Sequence, residues 1–284
     1  MTTVNFEVIR ILVMAFMAFT LTMMLTPWWT DFLYKHRLGK QIRAEGTPVF
    51  TAMHKSKEGT PTMGGVLIWL AVAVLILALA LVNKLFPGGI IAKFNFLSRS
   101  QTLLPLGLMV FAAIIGVIDD LLGIWKIGPN GGGLKMRHRL LFYTLVAIVG
   151  SLWFYYKLDW DVIKIPFLGV FNIGIWFIPF AIFIMVATSF SINETDGLDG
   201  LAGGVMLAAF SGYGVIAFFS GKYELAIFCG AIVGALLSFL WFNIYPARFF
   251  MGDTGAMSLG VTLGAIALLT NAVFILPFLA FIPM

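Results

Sequence analysis

The chain has 284 residues, 61% hydrophobic and 11% charged, whereas soluble domains carry about a quarter charged residues. That composition excludes a soluble globular domain and predicts an all-α polytopic membrane protein, folded as one domain over residues 1–284. The formal charge of +5 and the pI of 9.4 do not indicate nucleic-acid binding. The cations lie in loops between apolar runs, where positive-inside bias and contact with anionic lipid or phosphate account for them. The single Cys229 allows no intrachain disulfide.

The first apolar run, Ile11–Trp29, is too long for a signal-peptide core and lacks a small-x-small cleavage site, so it reads as a retained span. Pro27 and the Trp28-Trp29 pair are expected to close it at the interface. A basic loop, Thr30–Pro61, precedes span 2 at Thr62–Val82, whose first turn holds Gly64-Gly65. After a mixed loop, in which Phe94–Ser100 is expected along the interface, span 3 covers Thr102–Ile118 and stops at Asp119-Asp120. A second basic loop contains Pro129-Asn130-Gly131-Gly132-Gly133, a turn composition.

Span 4 is Leu140–Tyr156. Polar and apolar residues then alternate over Asp161–Ile175 around Leu168-Gly169, predicting a small β-hairpin outside the bilayer. Span 5, Ile175–Phe190, leads into the loop Asn193–Gly200; span 6 is Leu201–Phe219, and Ser220–Glu224 is a tight turn. Span 7, Leu225–Tyr245, is followed by the loop Pro246–Gly255 and by span 8, from Ala256 to about Asn271. The apolar residues Ala272–Met284 are too few to span and read as the start of a ninth helix.

Because spans alternate in direction, the loops after spans 1, 3, 5 and 7 share one side, and they hold eleven Lys/Arg against six in the opposite loops. Positive-inside bias then places the N-terminus outside and those loops in the cytoplasm. The same loops hold all three acidic gaps: Asp119-Asp120, Asn193–Gly200 with Asp196 and Asp199, and Met251-Gly252-Asp253-Thr254-Gly255.

Carboxylates at a membrane boundary are costly unless they serve a purpose. Adjacent Asp119 and Asp120 repel, so at least one calls for a cation or a proton, and a helix C-terminus adds to the repulsion. The competing reading is a water-exposed helix end paired with Lys126. Asp199 could simply cap span 6 and Asp253 span 8, but capping does not also explain Asp196 and Asn193. The gap before span 8 lies at a helix N-terminus, where phosphate is favoured. Gly64-Gly65 reads most simply as helix packing, and His36, His54 and His138 show no metal-ligand spacing.

Read together, four stretches in chain order resemble the phospho-N-acetylmuramoyl-pentapeptide-transferases. They are His54–Gly65 with Lys-Glu-Gly-Thr-Pro-Thr-Met-Gly-Gly, Val117–Asp120, Asn193 with Thr195–Leu201, and Leu240–Asn243 through Pro246 to Phe250–Gly255. The wider superfamily of polyprenyl-phosphate sugar-1-phosphate transferases is expected to share the paired aspartates and the DGLDG-like loop. The resemblance implies transfer of phospho-N-acetylmuramoyl-pentapeptide from UDP-MurNAc-pentapeptide to undecaprenyl phosphate, giving lipid I and UMP, with Mg²⁺, at the cytoplasmic face of a bacterial inner membrane. It implies that Asp253 holds Mg²⁺, while Asp119 and Asp120 bind metal or deprotonate the lipid phosphate. Lys57, Thr62, Asn193, Asp196, Gly197, Leu198, Asp199, Asn243 and Phe250 would bind the nucleotide substrate, with Phe250 against the uracil. It also implies two further helices and a His-rich loop beyond residue 284, and it leaves a homodimer open. Gly123, Phe190 and Glu194 depart from the family pattern, and Lys126 is the expected substitute for a lysine normally found at position 123. The alternatives are a transferase for another UDP-N-acetylhexosamine and, in a different class, a secondary transporter, which would carry its carboxylates nearer the midplane.

Overall fold

A computed structural model describes residues 3–39, 59–87, 94–97, 100–128 and 132–279. Lys57, with His54, Lys55 and the turn residues 129–131, lies outside the described residues.

Among the described residues, eight helices are long and apolar enough to cross a membrane. They are α1 (Thr3–Lys35), α2 (Val66–Leu85), α3 (Ser100–Ile124), α4 (Met136–Lys157), α5 (Phe177–Thr195), α6 (Leu201–Phe219), α7 (Tyr223–Asn243) and α8 (Gly252–Leu269). A hairpin of β1 (Val162–Ile165) and β2 (Gly169–Asn172) joins α4 to α5, pairing Val162 with Asn172 and Ile165 with Gly169. A short helix, α9 (Leu276–Leu279), follows α8 where the sequence suggested a ninth helix would start.

Several boundaries move, each for a tertiary reason. Helix α1 continues through Pro27 instead of ending there. Its last turns are held from outside: Trp29 Nε1 donates to the Met63 carbonyl at 3.1 Å and the Tyr34 hydroxyl to the Arg248 carbonyl at 3.0 Å. Residues Thr62–Gly65 are not the first turn of a helix. Their backbone bonds the segment before α8, with Gly64 N donating to the Phe250 carbonyl and Gly65 N to the Met251 carbonyl, each at 2.8 Å. Helix α3 runs past Asp119-Asp120 to Ile124, and α5 takes in Asn193, so these residues project from helices and not from loops. Within the segment expected along the interface, Phe96 is buried and its carbonyl accepts the Thr102 hydroxyl at 2.7 Å.

The bundle is organised around α8, all of whose residues are buried. Glycines on it or facing it allow that depth. A Cβ at Gly116 would fall 2.4 Å from the Thr254 Cα, and one at Gly260 would fall 2.5 Å from the Ser189 Cα. Helices α1 and α7 meet in the same way: a Cβ at Gly234 would lie 1.9 Å from the Ala15 carbonyl oxygen. In lipid, where hydrophobic transfer gives helices little reason to associate, such close backbone approach supplies the packing that holds them together.

The end of the bundle that carries the hairpin is closed separately. Lys222 donates to the Leu269 carbonyl at the C-terminus of α8 and sits 4.7 Å above the Trp160 ring. Lys164 N donates to Asn271 Oδ1 at 2.8 Å, which ties β1 to the turn after α8.

Candidate active site

The three acidic gaps meet at the opposite end, around the first turn of α8. Two carboxylates from separate helices share one cation there. Arg139, in the first turn of α4, bonds Asp119 Oδ2 through Nε at 2.6 Å and Asp253 Oδ2 through Nη2 at 2.9 Å. Asn193 on α5 completes the group: its Nδ2 donates to Asp253 Oδ1 at 2.5 Å, and its Oδ1 lies 3.4 Å from Arg139 Nη1. Leu134 N adds a donor to Asp119 Oδ1 at 2.7 Å.

Asp119 is therefore neither a water-exposed helix end nor a partner of Lys126; it is 1% exposed and paired with Arg139. In the sequence Arg139 is one of the four Lys/Arg of the second basic loop and bears no mark of its own. Its position was the available signal, because a cation in the first turn of a helix opposes the helix dipole unless acids face it.

Asp120 does different work from its neighbour. Successive helical residues point about 100° apart, so its carboxylate turns away from Arg139 toward the start of α8. There it accepts Asp253 N at 3.2 Å and Thr254 N at 3.0 Å, together with the Thr62 hydroxyl at 3.2 Å. It serves as the anion at that helix N-terminus, satisfying two of the main-chain donors that a helix start leaves over.

The remaining acids order the segment that leads into α8. Asp196 Oδ2 accepts Gly252 N at 2.9 Å and Asp199 Oδ2 accepts Ala247 N at 3.2 Å. Asn243 ties both sides, accepting Gly200 N at 3.1 Å and donating to the Phe249 carbonyl at 2.9 Å. Gly252 is required by this weave: its φ is +76°, and a Cβ would sit 2.7 Å from Asp120 Oδ2. Gly197 and Leu198 are exposed at the rim, and Phe250 is half-buried beside the segment.

The site thus has a charged centre and a frame. Asp119, Asp253, Asn193 and Arg139 form the centre; Asp120, Thr62, Asp196, Asp199 and Asn243 hold main chain around it. Among the described residues no three His, Cys, Asp or Glu side chains form a metal-binding group. Two carboxylates and an amide oxygen nevertheless already converge on positive charge. Such hard oxygen donors suit Mg²⁺, which is commonly bound by one or two carboxylates and takes its other ligands from phosphate and water.

Comparison with known proteins identifies the family. The glycosyl transferase family 4 model matches residues 102–271. Signature 1 of the phospho-N-acetylmuramoyl-pentapeptide-transferases matches residues 57–68. The phospho-N-acetylmuramoyl-pentapeptide-transferase of Chloroflexus aggregans is 42% identical over 278 residues, covering 95% of this chain and 71% of its own length. Those of Listeria monocytogenes and Clostridium novyi are 35% and 34% identical, covering 91% and 89% of this chain and 75% and 72% of their own. With those identities spread over nearly its whole length, the chain belongs to the phospho-N-acetylmuramoyl-pentapeptide-transferase family.

Proposed function

We propose that this chain transfers phospho-N-acetylmuramoyl-pentapeptide from UDP-MurNAc-pentapeptide to undecaprenyl phosphate, with Mg²⁺, at the cytoplasmic face of a bacterial inner membrane. An oxygen of the lipid phosphate attacks the β-phosphorus of the nucleotide sugar. The bond from that phosphorus to the bridging oxygen breaks, UMP leaves with the electron pair, and lipid I remains in the bilayer. The observation that carries this reading is the convergence of Asp119, Asp253 and Asn193 on one cationic centre at an end of a spanning bundle. A nucleophile anchored in lipid needs its site at that level.

Phosphoryl transfer asks for positioning and for neutralised charge more than for covalent help. Bound Mg²⁺ would supply part of that neutralisation, held by Asp253 and Asp119. Arg139 binds the diphosphate through its planar fork. In this reading Asp119 serves the metal or takes the proton of the lipid phosphate, once Arg139 has turned to the diphosphate. Asp196, Asp199, Asn243 and Asp120 keep the segment 247–254 rigid beneath the nucleotide, with Phe250 beside the base and Lys57 near it. The eleven Lys/Arg in the loops at this end support its cytoplasmic orientation.

The carboxylates of the centre lie within the first turn of α8 and near the end of α3, away from the midplane, which disfavours the transporter reading. UMP release tests the proposal, measured with undecaprenyl phosphate, Mg²⁺ and a panel of UDP-sugars. Turnover is expected with UDP-MurNAc-pentapeptide; equal turnover on another UDP-N-acetylhexosamine would move the assignment to the wider superfamily, and none on any would remove it.

A further inference from the structure

Tyr143 lies one turn after Arg139 on α4 and is 1% exposed. Its hydroxyl has no hydrogen-bond partner among the described residues. Leaving a hydroxyl unbonded in a dry interior is unfavourable, and phenylalanine would fill the same space without that cost. The charged groups in its electrostatic reach are Asp253, Arg139, Asp119 and Glu194. Side chains on a helix lean toward its N-terminus, and the N-terminus of α4 is at the site. The phenol therefore leans toward the turn that carries Arg139, on the side of the site.

Arg139 spans Asp119 and Asp253. A diphosphate offers a guanidinium a doubly charged bidentate partner and competes with both aspartates for it. Asp253 then loses its Nη2 donor and keeps the Asn193 amide. An anionic carboxylate that has lost a charged donor, within electrostatic reach of a buried idle hydroxyl, gives that hydroxyl a use.

Resting on the diphosphate substrate proposed above, we infer that Tyr143 is a positioning residue. Its hydroxyl bonds the Asp253 carboxylate when the substrate draws Arg139 away, keeping that carboxylate oriented. Tyr143 touches neither the nucleotide nor the lipid; it acts through Asp253.

The probe is UDP, titrated calorimetrically onto the detergent-solubilised protein with and without Mg²⁺, alongside thermal unfolding. Tyr143→Phe is expected to weaken UDP binding about tenfold with an unchanged unfolding midpoint. Ser189→Ala removes another buried, unpartnered hydroxyl, one turn below Asn193, and is expected to leave UDP binding unchanged. In an Arg139→Gln background, where Asp253 already lacks the guanidinium, Tyr143→Phe is expected to lower the unfolding midpoint, an effect it does not have alone. Equal UDP affinity for wild type and Tyr143→Phe overturns the inference, as does an equal loss in Ser189→Ala. Failure of the wild type to bind UDP removes the substrate reading instead. In that event the Arg139→Gln background decides alone: a lowered midpoint supports the Tyr143–Asp253 bond, and an unchanged one overturns it.

Discussion

Asp120 on α3 accepts the main-chain N–H of Thr254, the third residue of α8, at 3.0 Å. The contact links chain positions 134 residues apart and makes one acid of the Asp119-Asp120 pair a fastener of the central helix. Neighbouring acids of one motif thus have separate duties: Asp120 holds the frame and Asp119 faces the cation.

That division predicts different variant behaviour. Asp120→Ala strips two main-chain donors and the Thr62 hydroxyl of their acceptor, and a buried donor left unsatisfied costs about 1–3 kcal/mol. Its unfolding midpoint in detergent should fall clearly, with activity lost alongside. A midpoint equal to wild type would show that Asp120 does not anchor α8.

Asp253→Asn should behave in the opposite way. The amide keeps the size and a hydrogen-bonding oxygen but removes the charge that faces Arg139 and that would hold the proposed Mg²⁺. Mg²⁺-dependent UMP release should disappear while the protein still folds, its melting temperature falling less than in an Arg139→Ala variant because Arg139 keeps Asp119. Retained turnover would take Asp253 out of the reaction.

Arg139→Ala leaves two buried carboxylates without their shared cation, and breaking a buried ion pair typically costs roughly 3–5 kcal/mol. Arg139→Lys keeps the charge but not the fork that reaches both acids. Lysine should therefore restore most of the melting temperature yet only a small part of the activity, with KM for the nucleotide raised. Full activity in the lysine variant would argue that point charge alone suffices.

The seam between α1 and α7 offers a test of the packing. Gly234→Ala would drive a methyl into the Ala15 carbonyl, at 1.9 Å for an unrelaxed Cβ, whereas Gly204→Ala meets nothing within 4 Å. Only the first should lower the melting temperature and the yield of folded protein. Equal behaviour of the two would mean that α1 is not docked as closely as the backbone shows.

Gly252→Ala carries both a strained φ and a collision with Asp120 and Thr62. It should reduce UMP release by at least about tenfold, since small misplacements at a positioned phosphate are costly. Normal turnover in that variant would separate the 247–254 segment from catalysis.

The amino-acid sequence by itself determined the eight spans, the hairpin between α4 and α5, and the grouping of the acidic gaps at one end. Hydrophobic length and period-two alternation are local properties, and strict alternation of span direction carries side from one loop to the next. It did not reveal that α1 passes through Pro27, because contacts from Met63 and Arg248, not propensity, hold the turns beyond it. Nor could it separate Asp119 from Asp120, or pick Arg139 from among the four Lys/Arg of its loop. Those assignments depend on how each helix is rotated about its axis and on which backbone donors α8 leaves over. Such relationships exist only once α3, α4, α5 and α8 are packed together, so the tertiary structure alone decided them.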